Sequence, residues 1–157
     1  MLQVTRPTPS HFGIFVTDVE RMVAFYKEVF GLTETDRGVG RTFKSPLVFL
    51  SASADQHHQL VIAGGRPAEA TFSTVMQISF AVPDIQSLRD IRDRALALGA
   101  SRLVPLNHGN ALSVYFADPE GMCPASRLST CPCVSSSRSH SSRAAPSPPR
   151  RRDWANA

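Results

Sequence analysis

The chain has 157 residues and a mass of 17.1 kDa, which is the length of one domain. Hydrophobic residues make up 42% and charged residues 19%, so the composition supplies a core and excludes a wholly disordered chain. No apolar run approaches the roughly 18 residues that cross a membrane, and residues 1–10 lack the apolar segment of a signal peptide. We therefore expect a soluble, cytoplasmic protein.

The charge of the chain is concentrated at its C-terminal end. Residues 122–157 hold six Arg and one Asp, a charge of +5, whereas residues 1–121 hold eleven Lys or Arg and twelve Asp or Glu, a charge of −1. A near-neutral body lacks the basic face that binds a nucleic acid. We expect neither a nucleic acid nor a membrane as a partner.

The segment 122–157 also differs in composition from the rest of the chain. It contains nine Ser, five Pro and no Gly, with few aliphatic residues and no periodicity. Such a segment buries too little apolar surface to offset its ordering entropy, so we predict a disordered tail. The abrupt change at Met122 is typical of an out-of-frame reading of GC-rich DNA.

Periodicity and turn residues predict five elements in the first half of the chain. Asp18 is a suitable N-cap for a helix over 19–30, and Gly31 is a suitable stop for it. Strands are predicted at 10–16, 32–36, 42–51 and 58–63.

The second half repeats this order. It predicts a strand at 75–82, a helix between Asp84 and Gly99, strands at 101–106 and 111–116, and a turn at 118–121 with a further strand after it. The offset that moves position 11 onto position 77 superimposes 11–18 on 77–84, and it still matches Phe49-Leu50 with Tyr115-Phe116.

This internal repeat predicts the fold class. Neither copy encloses a core alone, so two βαβββ modules, about 9–65 and 75–121, should pair around a pseudo-twofold axis. The expected architecture is an α+β fold in which the modules form a half-open curved barrel with an incomplete last strand. Residues 1–8 are an N-terminal extension.

Several short motifs resemble the vicinal oxygen chelate superfamily, which contains glyoxalases, bleomycin-resistance proteins and extradiol dioxygenases. The resemblance covers about residues 9–121. The motifs that carry it are Ser10-His11-Phe12-Gly13, Phe25-Tyr26-Lys27-Glu28-Val29-Phe30-Gly31-Leu32, His57-His58-Gln59-Leu60, Gln77 to Asp84, His108-Gly109-Asn110 and Tyr115 to Gly121.

The resemblance implies a divalent metal and a small-molecule substrate that chelates it through neighbouring oxygens. The His-His-Gln-Leu and His-Gly-Asn motifs are most similar to small extradiol dioxygenases, which hold Fe(II) with two His and one Glu. Fe(II) is therefore the expected cofactor, with Mn, Zn or Ni as alternatives, and the expected substrate is an aromatic diol or another vicinal-oxygen compound. Many members are dimers, so a homodimer is a further expectation.

Five residues match site positions of the superfamily. His11 matches the first-strand metal ligand, and His58 matches either a metal ligand or the acid/base His of the dioxygenases. Strand alternation separates His57 from His58, and we take His58 as inward because Leu60 and Ile62 share its parity. His108 and Tyr115 match substrate-contacting groups of the second repeat. Gln77, which should face His11 and His58, completes the metal set.

Two positions depart from the dioxygenase pattern. Gln77 stands where those enzymes have their second metal His, and an amide oxygen is a weaker donor than an imidazole. After Asp118-Pro119-Glu120-Gly121 the superfamily continues with Asn-x-Ile/Val-Glu, whereas this chain has Met122-Cys123-Pro124-Ala125. We therefore expect an extradiol-type enzyme impaired by loss of its Glu ligand; the alternatives are a glyoxalase-type isomerase or lyase and a non-catalytic bleomycin-resistance-like binding module.

Deleting residues 130–157 should leave the solubility and the melting temperature nearly unchanged, because a disordered tail contributes nothing to the core. Differential scanning calorimetry of the full and shortened chains measures this. A large drop in melting temperature would show that the tail packs on the body.

Overall fold

The structure is a computed structural model that describes residues 7–42, 44–121 and 126–127. The chain divides into two compact units, Met1–Phe72 and Ser73–Ala157. This boundary falls between the two predicted repeats. Within the described ranges, neither helix is long and apolar enough to span a membrane.

The first unit contains one helix and one four-stranded sheet. Its elements are β1 (Phe12–Val16), α1 (Val19–Phe30), β2 (Thr33–Val39), β3 (Pro46–Ser51) and β4 (Leu60–Gly64). The strand order in the sheet is β1-β4-β3-β2. Strands β1 and β4 are parallel, and the other two pairs are antiparallel.

The bounds of α1 agree with the prediction, and its ends follow from two residues. The Asp18 carboxylate accepts a hydrogen bond of 3.0 Å from the backbone N–H of Arg21. At the other end Gly31 has φ +68°, a left-handed conformation that favours glycine, and its N–H donates to the Lys27 carbonyl at 2.8 Å.

The core of the first unit lies between α1 and the sheet. The helix packs on β3 and β4, and its buried side chains are Met22, Val23, Phe25, Tyr26 and Val29. From the strands, the alternate residues Val48, Leu50, Leu60 and Ile62 are at most 1% exposed. Gly64 lies on the same side, where a Cβ atom would come within 2.7 Å of Pro46 Cγ, so only glycine fits there.

The second unit has the same order of elements with less extensive pairing. It contains β5 (Ile78–Ser79), α2 (Ile85–Ala97), β6 (Ser101–Asn107), β7 (Leu112–Ala117) and β8 (Ser126–Arg127). Strands β6 and β7 form an antiparallel hairpin, and β5 pairs in parallel with β8. Asp84 caps α2 as predicted, accepting from Ser87 N at 2.7 Å. The fold class is α+β, as expected.

The internal repeat reappears in the strand registers. The offset that moves position 11 onto position 77 also moves both ends of β3 onto the ends of β7. In the first unit Phe12 pairs with Leu60, and in the second the same offset gives the observed pair of Ile78 with Ser126. The two units therefore use corresponding backbone pairs at the parallel contact.

The second unit differs from the expectation in two places. The strand predicted at 75–82 is reduced to β5, which has two residues. Strand β8 lies where the turn at 118–121 predicted a further strand, within the segment 122–157 predicted to be a tail. The rest of that segment lies outside the described residues.

Replacing Leu50 by Ala should lower the free energy of unfolding by about 2–5 kcal/mol, because its side chain is fully buried and the shorter one leaves a cavity. Urea unfolding monitored by circular dichroism measures this. The control is Val39→Ala on β2, where the side chain is 70% exposed and the expected change is within about 0.5 kcal/mol. Equal losses in the two variants would contradict the location of the core.

Candidate functional site

Two imidazoles meet at the beginning of the parallel strands β1 and β4. His11 directly precedes β1, and His58 lies two residues before β4. Their ring centroids are 4.3 Å apart, with an angle of 59° between the ring planes. Because the first residues of neighbouring parallel strands lie at one edge of a sheet, the β1–β4 pairing brings these two side chains together.

His58 is half-buried, and its surroundings favour the neutral form. Burial lowers the pKa of the His58 imidazole below its ordinary value, and the nearby His11 and His57 rings lower it further because three cationic rings would repel one another. The ring centroids of Phe49 and His58 are 5.0 Å apart, so an apolar ring packs against the His58 imidazole. A neutral imidazole of this kind has a free electron pair for a proton or a cation.

The alternation argument used for His57 and His58 was wrong. Both rings lie against Phe49, at centroid distances of 5.7 Å and 5.0 Å, instead of on opposite faces. The reason is that β4 begins only at Leu60, so the preceding residues do not alternate. Leu60 and Ile62 face α1, whereas Phe49, paired with Val61, lies on the other face with the His rings.

His57 lies between His58 and a carboxylate. Its Nδ1 atom is 2.8 Å from Nδ1 of His58, and its Nε2 atom is 3.8 Å from Oδ2 of Asp36 on β2. Sequence reasoning set His57 aside in favour of His58 on strand parity. The contact with Asp36 could not be predicted because it depends on the β2–β3 register. A His-His pair beside a strand is the one signal that could have pointed to it.

Gln59 is a second residue that sequence reasoning did not single out. Its carbonyl accepts from Phe12 N at 3.2 Å, so the register places Gln59 opposite His11. Its side-chain oxygen accepts from the backbone N–H of Ala52 at 2.9 Å. The offset between the repeats, applied to His11 and Gln59, would have identified the corresponding positions Gln77 and Ala125.

The remaining predicted site residues lie in the second unit. Gln77 directly precedes β5, as His11 precedes β1, and its amide donates to the hydroxyl of Ser79. His108 Nε2 lies 3.1 Å from the phenolic oxygen of Tyr115. The β6–β7 hairpin therefore brings the two predicted substrate-contacting groups within hydrogen-bond distance of each other. That Gln77 faces His11 stays a prediction.

Comparison with known proteins identifies the family. A sequence model of the Glyoxalase/Bleomycin resistance protein/Dioxygenase superfamily matches residues 8–122. The chain belongs to this superfamily.

A curated member of known activity is a distant relative. Biphenyl-2,3-diol 1,2-dioxygenase 3 from Rhodococcus globerulus is 27% identical over 123 residues, which cover 73% of this chain. The match spans only 60% of the length of that relative.

Solved structures agree with the fold. The fosfomycin resistance protein FosX from Listeria monocytogenes, solved as a mutant with Mn(II) and 1S,2S-dihydroxypropylphosphonic acid, superimposes with a TM-score of 0.63 at 20% identity, covering 82% of this chain and 96% of FosX. A glyoxylase/bleomycin resistance protein/dioxygenase domain from Frankia sp. EAN1pec gives a TM-score of 0.65 at 18% identity, covering 80% and 93%. At this identity the likeness concerns the fold.

The donor set fits the divalent metal of the superfamily only in part. His11 and His58 supply two neighbouring imidazoles. Within residues 7–42 and 44–121, however, no group of three or more His, Cys, Asp or Glu side chains is placed to hold a metal ion. Ala125, where the resemblance led us to expect a carboxylate, lies outside the described residues and has no donor atom in its side chain.

Replacing His11 by Asn should raise the pKa of His58 towards its ordinary value, because the variant removes one of the two imidazoles that oppose its protonation. Burial still acts, so the return should be incomplete. Titration of the His58 ring signals by NMR measures the change. The matched control is Lys27→Gln, which removes one positive charge from α1, where Lys27 lies 3.9 Å from Glu34; an equal rise there would contradict a local effect of His11.

Proposed function

We propose that this chain is a small-molecule enzyme of the extradiol-dioxygenase type whose activity is impaired by loss of its C-terminal carboxylate ligand. The single observation that carries the proposal is the pair of imidazoles, His11 and His58, at the shared edge of β1 and β4. Membership of the superfamily and the distant biphenyl-diol dioxygenase relative support it. The proposed substrate is an aromatic diol or another compound with neighbouring oxygens.

His58 is the proposed proton acceptor. Its pKa is lowered, so at neutral pH the ring is uncharged and able to take a proton from a substrate hydroxyl. The ring of Phe49 packs against one side of the His58 ring. His108 and Tyr115, already within hydrogen-bond distance of each other, are the proposed donors to the substrate oxygens.

His11 and Gln77 are the proposed protein donors to a divalent cation, with Fe(II) preferred and Mn, Zn or Ni as alternatives. Such a cation, when bound, would polarise the substrate oxygens as a Lewis acid. Gln77 is a neutral amide and Ala125 has no donor atom, so these positions supply no negative charge to offset a charge of +2. The proposed consequence is weak cation binding and little turnover.

Two other functions remain candidates. A non-catalytic binding module is favoured by one observation, the lack of a three-membered His, Cys, Asp or Glu group in the part of the chain that the structure describes. In a glyoxalase-type isomerase or lyase, His58 would be a metal ligand instead of a base. Cytoplasmic location and a homodimer stay predictions.

Restoring the superfamily ending with Met122→Asn, Pro124→Ile and Ala125→Glu should convert weak binding of Fe(II) or Mn(II) into tight, stoichiometric binding. The added carboxylate supplies both a third protein donor and a negative charge. Isothermal titration calorimetry under anaerobic conditions measures binding, and catechol-dependent oxygen uptake measures activity.

Two controls separate the carboxylate from other effects of the restoration. The same ending with Ala125→Gln has nearly the same shape without the charge, and it should bind the cation far more weakly than the Ala125→Glu ending. His11→Ala in the restored chain should abolish tight binding again. Stoichiometric Fe(II) and catechol cleavage in the unrestored chain would contradict the proposed impairment.

A further inference from the structure

We propose that Asp36 and His57 hold His58 in the neutral tautomer that carries its proton on Nδ1, so that Nε2 is the atom with the free electron pair. In this arrangement His57 is a positioning residue, which acts on the reaction only through His58. The use of Nε2 as a base rests on the proposed function, whereas the tautomer itself does not.

The first step of the argument is the short contact between the two rings. Nδ1 of His57 and Nδ1 of His58 are 2.8 Å apart, which is a hydrogen-bond distance. A neutral imidazole has one N–H donor and one acceptor nitrogen. One of these two Nδ1 atoms must therefore carry a proton and the other must accept it, since two electron pairs or two protons at this distance repel.

The second step is the position of Asp36, which distinguishes the two arrangements. Nε2 of His57 lies 3.8 Å from the Oδ2 atom of the Asp36 carboxylate. An N–H group is attracted by that negative oxygen, whereas an electron pair on Nε2 would be repelled. A neutral His57 is therefore protonated on Nε2, so that its Nδ1 accepts and the shared proton belongs to Nδ1 of His58.

The third step concerns the other neighbours of the His58 ring. Phe49, at 5.0 Å between centroids, offers carbon and no hydrogen-bonding group. His11, at 4.3 Å, is engaged through its Nδ1 with the Ser10 hydroxyl at 3.4 Å. Among the described residues, His57 thus makes the shortest polar contact of the His58 ring, and this contact reverses the preference of a free histidine, which carries its proton on Nε2.

The test is a direct measurement of the tautomers in the full chain without added metal. Long-range ¹H–¹⁵N correlation spectra of the ¹⁵N-histidine-labelled protein, recorded at a pH about two units above the ordinary histidine value, distinguish protonated from unprotonated ring nitrogens. We expect a protonated Nδ1 and an unprotonated Nε2 for His58, and the opposite for His57. A His58 ring protonated on Nε2 would overturn the proposal.

Variants identify the cause of the tautomer. His57→Phe keeps a ring but removes the acceptor, so His58 should revert to mainly the Nε2-protonated form; His57→Asn returns an acceptor oxygen near the same place and should restore the Nδ1 form. Asp36→Asn should lower the population of the Nδ1 form, whereas Asp55→Asn, the same change in the loop before His57, should leave it unchanged. An unchanged His58 tautomer in His57→Phe would overturn the proposal.

The same samples separate this inference from the proposed function. Titration with Mn(II) reports cation binding, and the spectra recorded before the titration report the tautomer. A chain with the Nδ1 tautomer that binds no cation supports the inference while contradicting the proposed metal site. A cation-binding chain with His58 protonated on Nε2 before the titration contradicts the inference alone.

Discussion

The parallel pairing of β1 with β4 is the contact on which the candidate site depends. Successive residue pairs, from Phe12 with Leu60 to Val16 with Gly64, join segments that are far apart in the chain. The bond from Phe12 N to the Gln59 carbonyl extends this pairing by one residue, to the edge where His11 lies. Without this register, the chain would not bring the imidazoles of His11 and His58 together. The helix α1 packs on the sheet and buries the face opposite the imidazoles.

The chemistry available at this edge follows from the close packing of three imidazoles and one phenyl ring. Three imidazoles and the ring of Phe49 lie within about 6 Å of their neighbours, centroid to centroid. Protonating His58 here costs free energy, because its charge would lose water and would face two other rings that accept protons. The Asp36 carboxylate lies beside His57, on the side away from its contact with His58. The arrangement therefore keeps electron pairs on nitrogen available, which suits a base or a cation ligand.

The internal repeat shows how the two units have diverged at equivalent backbone positions. The parallel register is the same in both units, with Phe12–Leu60 in one and Ile78–Ser126 in the other. The side chains just before these pairs are different: an imidazole at His11 is replaced by an amide at Gln77, and an amide at Gln59 by a methyl group at Ala125. The side chains at these positions are thus weaker cation donors in the second unit than in the first, although the backbone pairing is the same. This difference is the physical basis for expecting weak cation binding.

The sequence by itself determined the elements and their repetition. Asp18, Gly31 and Asp84 mark helix ends through local hydrogen bonds and backbone conformation, so these features need no knowledge of distant contacts. The repeated order of elements predicted where β7 would lie, and the turn at 118–121 predicted a strand where β8 lies. Only the tertiary structure decided which side chains surround His58. The face on which a residue lies follows from alternation only inside a strand, and His57 and His58 lie before the first residue of β4. The contacts of these rings with Phe49 and Asp36 depend on how β2, β3 and β4 pair. No local pattern encodes that register, because it is set by the burial of strand side chains such as Leu50 and Leu60 against α1.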